Sequence, residues 1–207
     1  MRKAEILHRE DCYRGFYCLE RIRLRHDRFS GEATPALTRE VVSKSDIVAV
    51  LPYDPAVDKV VMIEQFRPGA LVAGGNPWLL EIVAGYIEQG ESLSSAARRE
   101  TFEETGCEAL KLTPLMTYFL APNLSPDRVH LFLAEVSAPE TEILRGRGDE
   151  DEDIRVLSVG RIEAHAMVTA GQIASPWALL ALLLMQRCTP ANQLETAAVQ
   201  PPSGPSD

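Results

Sequence analysis

The chain has 207 residues, of which 45% are hydrophobic, and a formal net charge of −9 at pH 7. That length suits one domain with an added N-terminal sheet, and the apolar fraction is ordinary for a soluble globular protein. The acidic balance and the lack of a long basic run argue against nucleic acid as a partner, because phosphate backbones are bound by clustered Lys and Arg.

Taken in chain order, the N-terminus MRKAEILHRED lacks the apolar core of a secretory signal. Phe16, Cys18, Ile22 and Leu24 alternate, which predicts a strand over 16–24, and Arg39–Ser43 is a second extended candidate. Asp46–Leu51 and Lys59–Gln65 are rich in β-branched residues around Pro52-Tyr53-Asp54-Pro55, predicting a hairpin with a longer loop. Leu79–Val83 reads as a short strand leading into Gly85. Leu93–Thr105 is predicted as a helix with Ser92 as N-cap and with Leu93, Ala96, Ala97 and Phe102 facing inward. Leu110–Leu120 and Val129–Val136 follow as strands, then Ile154–Val159. Arg161–Ala170 and Trp177–Arg187 read as helices, separated by Gly171 and a Ser175-Pro176 start. The run Trp177–Met185 is too apolar for a surface helix and too short to span a bilayer, so no membrane partner is expected. Residues 189–207 hold several prolines and few large apolar side chains, which predicts disorder. Cys12, Cys18, Cys107 and Cys188 form no CxxC pair, and their spacing predicts neither a zinc site nor a disulfide framework. Unreactive thiols in a reducing cytoplasm are expected.

The most informative stretch is GYIEQGESLSSAARRETFEETGC at residues 85–107. Glu100, Glu103 and Glu104 have the spacing i, i+3, i+4, so their carboxylates share one helix face and repel one another. A solvated acidic face is the plain alternative for such a cluster alone. The flanking residues favour something more specific. Gly85 permits a close approach of the main chain, Arg99 is one turn before Glu103 and can pair with it, and Gly106 fits a helix C-cap. Carboxylate oxygens are hard donors, and the hard cation that works beside phosphates is Mg²⁺.

Gly85, Glu91, Arg99, Glu100, Glu103, Glu104 and Gly106 match, at every fixed spacing, the pattern G-x5-E-x7-R-E-U-x-E-E-x-G-U of the Nudix hydrolases. Seven such matches arise by chance in roughly one random 200-residue chain in a million. Thr101 stands where the pattern usually has an aliphatic residue, and Cys107 occupies the second apolar position. The resemblance implies an α/β (α+β) fold: a Nudix-type α/β/α sandwich with a mixed central sheet, plus an N-terminal antiparallel sheet. Residues 1–45 would form that N-terminal extension, 46–188 the hydrolase domain and 189–207 a tail.

Over approximately residues 12–187 the chain resembles the ADP-ribose pyrophosphatases within that superfamily. The similarity is carried by YRGF at Tyr13–Phe16, TREVV with Arg39 and Glu40, IEQFRP with Gln65 and Arg67, WLLEIVAG with Glu81 and Ala84, and the acidic segment Asp149–Val156. The resemblance implies Mg²⁺-dependent hydrolysis of ADP-ribose to AMP and ribose 5-phosphate, with two or three ions per site and Mn²⁺ as a possible substitute. It implies metal binding by Glu100, Glu104, Glu103 and the Ala84 carbonyl. Substrate contacts would come from Arg67, Arg39, Glu40, Phe16 and Glu81, with Gly85, Glu91, Arg99 and Gly106 as the structural frame. Glu150 is the first candidate for general base and Glu152 the second, with Glu103 close to the chemistry. A homodimer is implied, with Arg39-Glu40 reaching the partner's pocket. One departure bears on the substrate. The family usually has Ser-Pro-Gly and then Ser-Glu beyond the box, whereas here the chain reads APNLSPDR, with Asn123 in place of Gly and Asp127 near the family's Glu. GDP-mannose and NADH therefore remain alternative substrates. The rival of a different class is a nucleotide-sensing Nudix module without turnover, and the intact carboxylate set argues against it.

Overall fold

The structure is a computed structural model that describes residues 2–146 and 152–185. The tail from residue 186 onward, with Cys188, lies outside the described residues, as do 147–151 with Glu150. Two compact units are formed, one from Met1–Asp46 with Tyr118–Arg128 and one from Ile47–Thr117 with Val129 onward.

In the first unit, β1 (Ala4–Arg14), β2 (Cys18–His26) and β3 (Leu37–Ser43) make an antiparallel sheet in that order. The 16–24 prediction found β2, and β1 was missed because its residues alternate no apolar face; all of them are exposed. The segment 118–128 closes on β3 through the Val42 N–H to the Leu124 carbonyl at 2.9 Å, and Asp127 accepts the Lys44 N–H at 3.0 Å. Asp127, at 8% exposure, is thus engaged by backbone within this unit.

The second unit holds an eight-stranded mixed sheet: β4 (Ile47–Asp54), β5 (Lys59–Phe66), β6 (Trp78–Glu81), β7 (Val83–Tyr86), β8 (Lys111–Phe119), β9 (Arg128–Glu135), β10 (Ile143–Arg145) and β11 (Ile154–Gly160). β4 pairs parallel to β9 from Ile47 to Tyr53. The helices are α1 (Pro68–Val72), α2 (Leu93–Thr105), α3 (Arg161–Thr169) and α4 (Pro176–Met185). Among the described residues no helix is long and apolar enough to cross a membrane.

Three predicted features come out differently. β4 continues through Pro52, Tyr53 and Asp54, and Pro52 sits opposite Ala134 of β9, so the turn falls at 55–58. There Asp58 has φ 53°, clasped by Arg161 Nε and Nη2 at 2.6 and 3.1 Å and by the Tyr53 hydroxyl at 2.9 Å. The single strand expected over 79–83 is two. β4 and β5 pair only at Tyr53–Val60 and Asp54–Lys59 and then separate. The chain 78–86 fills the split, β6 pairing β5 and β7 pairing β4, with the wholly buried Ile82 at the switch. Leu93 and Phe102 of α2 are 39% and 54% exposed, not inward. The helix buries Ala96, Ala97, Thr101, Glu104 and Thr105 instead, and the small Ala96, Ala97, Thr101 and Thr105 side chains let the backbone come close to the sheet. Thr101 donates to the Ala97 carbonyl at 2.6 Å, which satisfies its hydroxyl inside the core where an aliphatic residue was expected.

The core is layered by the strand alternation. Val48, Val50, Val61, Ile63, Phe132, Ala134, Ile154 and Val156 pack with Ala96 and Ala97 of α2. The intervening residues Ala49, Leu51, Val60, Met62 and Leu131 are buried on the opposite face, the side on which α4, through Ala178, Ala181 and Leu182, contributes buried apolar residues. Burial on both faces explains the near-continuous apolar run of β4.

Candidate active site

Helix α2 has well-formed ends. The Ser92 hydroxyl accepts the Ser95 N–H at 3.2 Å, and Gly106 closes the helix at φ 73° with its N–H on the Phe102 carbonyl. A left-handed C-cap is where glycine carries least strain. Between these ends the helix carries the acidic cluster over β7.

Arg99 is the hub. Its Nε and Nη2 donate to the two Glu91 oxygens, each at 2.9 Å, a bidentate fork. Nη1 donates to Glu100 at 2.7 Å and Glu103 at 3.1 Å, and Nη2 also reaches the Tyr86 carbonyl at 3.1 Å. The side chain is 23% exposed. One guanidinium therefore ties the helix, the preceding loop and β7 together. These contacts raise the Arg99 pKa further, and the Arg99 fork holds the Glu91 carboxyl below its usual range.

Gly85 lies directly under Glu100. A Cβ added there would overlap the Glu100 carboxyl group, so any other residue would displace that carboxylate. Glu104, 4% exposed, accepts the Ala84 N–H at 3.2 Å. Burial, then the charges of Glu100 and Glu152, push the Glu104 carboxyl well above its ordinary value. Glu100 is pushed up to about 6, chiefly by burial, with Arg99 opposing the shift and Glu103 and Glu152 adding to it.

Arg67 follows β5, and its Nε and Nη2 donate to one oxygen of Glu81 at 2.9 and 2.6 Å. Its charge also acts on Glu104, lowering that pKa. Phe16, Arg39 and Glu40 belong to the first unit. Phe16 is 66% exposed with the Lys44 ammonium 3.1 Å from its ring centroid, Arg39 donates to the Thr38 carbonyl at 2.7 Å, and Glu40 lies 3.8 Å from Arg21. Trp78 is 56% exposed and meets Phe66 edge-on at 5.8 Å. Sequence reasoning missed the Tyr86 carbonyl and the Ala84 N–H, because backbone groups leave no residue-type signal.

The donor chemistry fits a divalent cation. Glu91, Glu100, Glu103, Glu104 and Glu152 are all drawn into this electrostatic cluster, with Arg99 and Arg67 as its cations. The buried Glu104 and half-buried Glu100 carboxyls are raised chiefly by burial and then by neighbouring acidic charge, and their oxygens are hard ligands. Among the described residues no three Asp, Glu, His or Cys side chains already converge as ligands of one ion, and Arg99 engages both Glu100 and Glu103.

Comparisons with known proteins agree with this geometry. A NUDIX domain matches residues 44–177. The ADP-ribose pyrophosphatase of Escherichia coli (strain K12) is 39% identical over 183 residues, covering 88% of this chain and 88% of that protein. That of Haemophilus influenzae is 36% identical over 185 residues, covering 88% and 85%. The GDP-mannose pyrophosphatase of Citrobacter koseri is 34% identical over 136 residues, covering 65% and 70%. A crystal structure described as an ADP compounds hydrolase superimposes with a TM-score of 0.68 at 22% identity, covering 89% of this chain and 92% of that one, a likeness of fold. With its box intact and its sheet and acidic helix in place, the chain belongs to the Nudix hydrolase family.

Proposed function

We propose that the protein hydrolyses the pyrophosphate bond of ADP-ribose, giving AMP and ribose 5-phosphate. The observation that carries this is the 39% identity over 88% of the chain to an ADP-ribose pyrophosphatase, in a chain that keeps every box carboxylate. Water supplies oxygen to one phosphorus, the bridging P–O bond breaks, and the departing phosphate takes the electron pair.

Mg²⁺ is the proposed cofactor, two or three ions held by Glu100 and Glu104 with Glu103 and the Ala84 carbonyl; when bound it would offset the diphosphate charge and acidify water. Arg99 keeps Glu100 and Glu103 in place from behind. Arg67 grips a phosphate oxygen. The base that takes the water proton comes from Glu150 or Glu152, and the charge of Glu152 acting on Glu100 and Glu104 supports a place near the reaction for Glu152. Phe16, Arg39 and Glu40 are proposed to bind substrate in a homodimer. The dimer is supported by the first unit, where no apolar side chain among the described residues is buried. The setting is proposed to be cytoplasmic.

The test is direct. The purified protein with Mg²⁺ and ADP-ribose should release AMP, and Glu104→Gln should lower turnover roughly 10²- to 10³-fold, the size typical of removing one electrostatic stabiliser. Glu150→Gln and Glu152→Gln, compared at saturating substrate, identify the base as the variant that loses turnover with affinity kept. GDP-mannose is the second substrate to assay, favoured by the 34% identity to a GDP-mannose pyrophosphatase; faster cleavage of it than of ADP-ribose would replace the first choice.

A further inference from the structure

Beside the acidic cluster, the split between β4 and β5 builds a second charged group. Glu81, on β6, is 3% exposed and directs one oxygen, Oε2, at three donors. These are Arg67 Nε at 2.9 Å, Arg67 Nη2 at 2.6 Å and the Gln65 amide at 3.4 Å. Gln65 is 6% exposed, while the Arg67 side chain is 34% exposed. The Arg67 backbone is held as well, its N–H on the Pro77 carbonyl at 2.7 Å. Both ends of the arginine are thus anchored on the β5–β6 ladder.

Stability gives little reason for such an arrangement. Taking a carboxylate out of water costs several kcal/mol, and an apolar pair of equal volume is often as stable. What the pair does provide is orientation. A guanidinium has five N–H donors, and Glu81 occupies two of them along one edge. The rest of the group stays half in solvent, and its charge reaches Glu104.

We propose that Glu81 is a positioning residue, holding the Nε edge of Arg67 so that its remaining donors are presented to the substrate diphosphate. Glu81 touches no substrate in this arrangement, and Gln65 keeps its carboxylate from turning away. This rests on the proposed function only in requiring a diphosphate substrate. It differs from a substrate contact by Glu81 itself, because its effect must pass through Arg67.

A double-mutant cycle decides it. Glu81→Gln should lower kcat/KM about 10- to 100-fold, the worth of a hydrogen bond to a charged group, with the same division between kcat and KM as Arg67→Lys. The double variant Arg67→Lys/Glu81→Gln should be no worse than Arg67→Lys alone, since the two act as one unit. Melting curves with Mg²⁺ accompany each variant, and Arg67→Gln/Glu81→Gln, which keeps a neutral hydrogen-bonded pair, serves if the lysine variant does not fold. Additive losses, or a Glu81→Gln enzyme with wild-type kcat/KM, would overturn the proposal. A wild type that ignores ADP-ribose but cleaves another nucleoside diphosphate derivative would sink the substrate assignment and leave the cycle to be run on that compound. A wild type that cleaves none of them overturns both.

Discussion

The two sheets of this protein are built on opposite terms. The central strands β4 and β5 of the eight-stranded sheet are buried on both faces, and Val48, Val50, Val60, Val61, Met62 and Ile63 have no exposed surface at all. The three-stranded sheet has no buried apolar residue, and Ile6, Tyr13 and Phe16 are 50%, 62% and 66% exposed. Its order comes from the ladder and from cross-strand ion pairs such as Arg9–Glu20 at 3.3 Å and Arg21–Glu10 at 3.4 Å. Surface pairs of this kind are worth about 0–1 kcal/mol each. The difference teaches where precision can reside. Carboxylates that must sit within a fraction of an ångström belong on the helix packed against the buried sheet, and the other sheet has surface left to be covered.

The contrast can be broken most forcefully at Arg99. Arg99→Ala leaves Glu91, Glu100 and Glu103 without their shared cation and should cost about 3 kcal/mol of stability, read as a lower urea midpoint. An unchanged midpoint would mean that the hub is ornamental. Gly85→Ala comes next. A methyl group there displaces the Glu100 carboxylate, and a misplacement of that order lowers turnover about 100-fold, with melting temperature changed far less than for Arg99→Ala. The first sheet is sharpened by dilution. If a second copy covers it, melting temperature should rise with protein concentration, and Ile6→Ala should weaken that dependence. A concentration-independent transition, with sedimentation as a monomer at micromolar protein, would count against the dimer.

The smallest expected effect is one of pH. Asp54 at the end of β4 accepts the Ala138 and Ala56 N–H groups, each at 2.8 Å, and the Ala138 bond is the leading cause of its lowered pKa. A depressed carboxylate stabilises the fold above its unfolded value, near 3.8, and that contribution is lost as pH falls through the folded value. Asp54→Asn should therefore destabilise the protein at pH 7 and progressively less below pH ~4. A stability gap that stays constant down to pH 2 would remove Asp54 from that role.

The sequence alone determined the local features whose physics is local. The extent of α2, its Ser92 and Gly106 caps and the box spacing could all be read from residue order, because helix period and capping depend on neighbours a few positions apart. The strands were legible where β-branched residues alternate or run together. What only the tertiary structure decided depends on partners far along the chain. The split that separates β6 from β7, the continuation of β4 through Pro52, and the exposure of Leu93 and Phe102 follow from which strand lies next to which. The same holds for the coupling of Glu81 to Arg67 and of Arg99 to the Tyr86 carbonyl. Burial and charge at these positions are set by packing across the sheet, and a one-dimensional pattern records residue types without recording what each side chain will be pressed against.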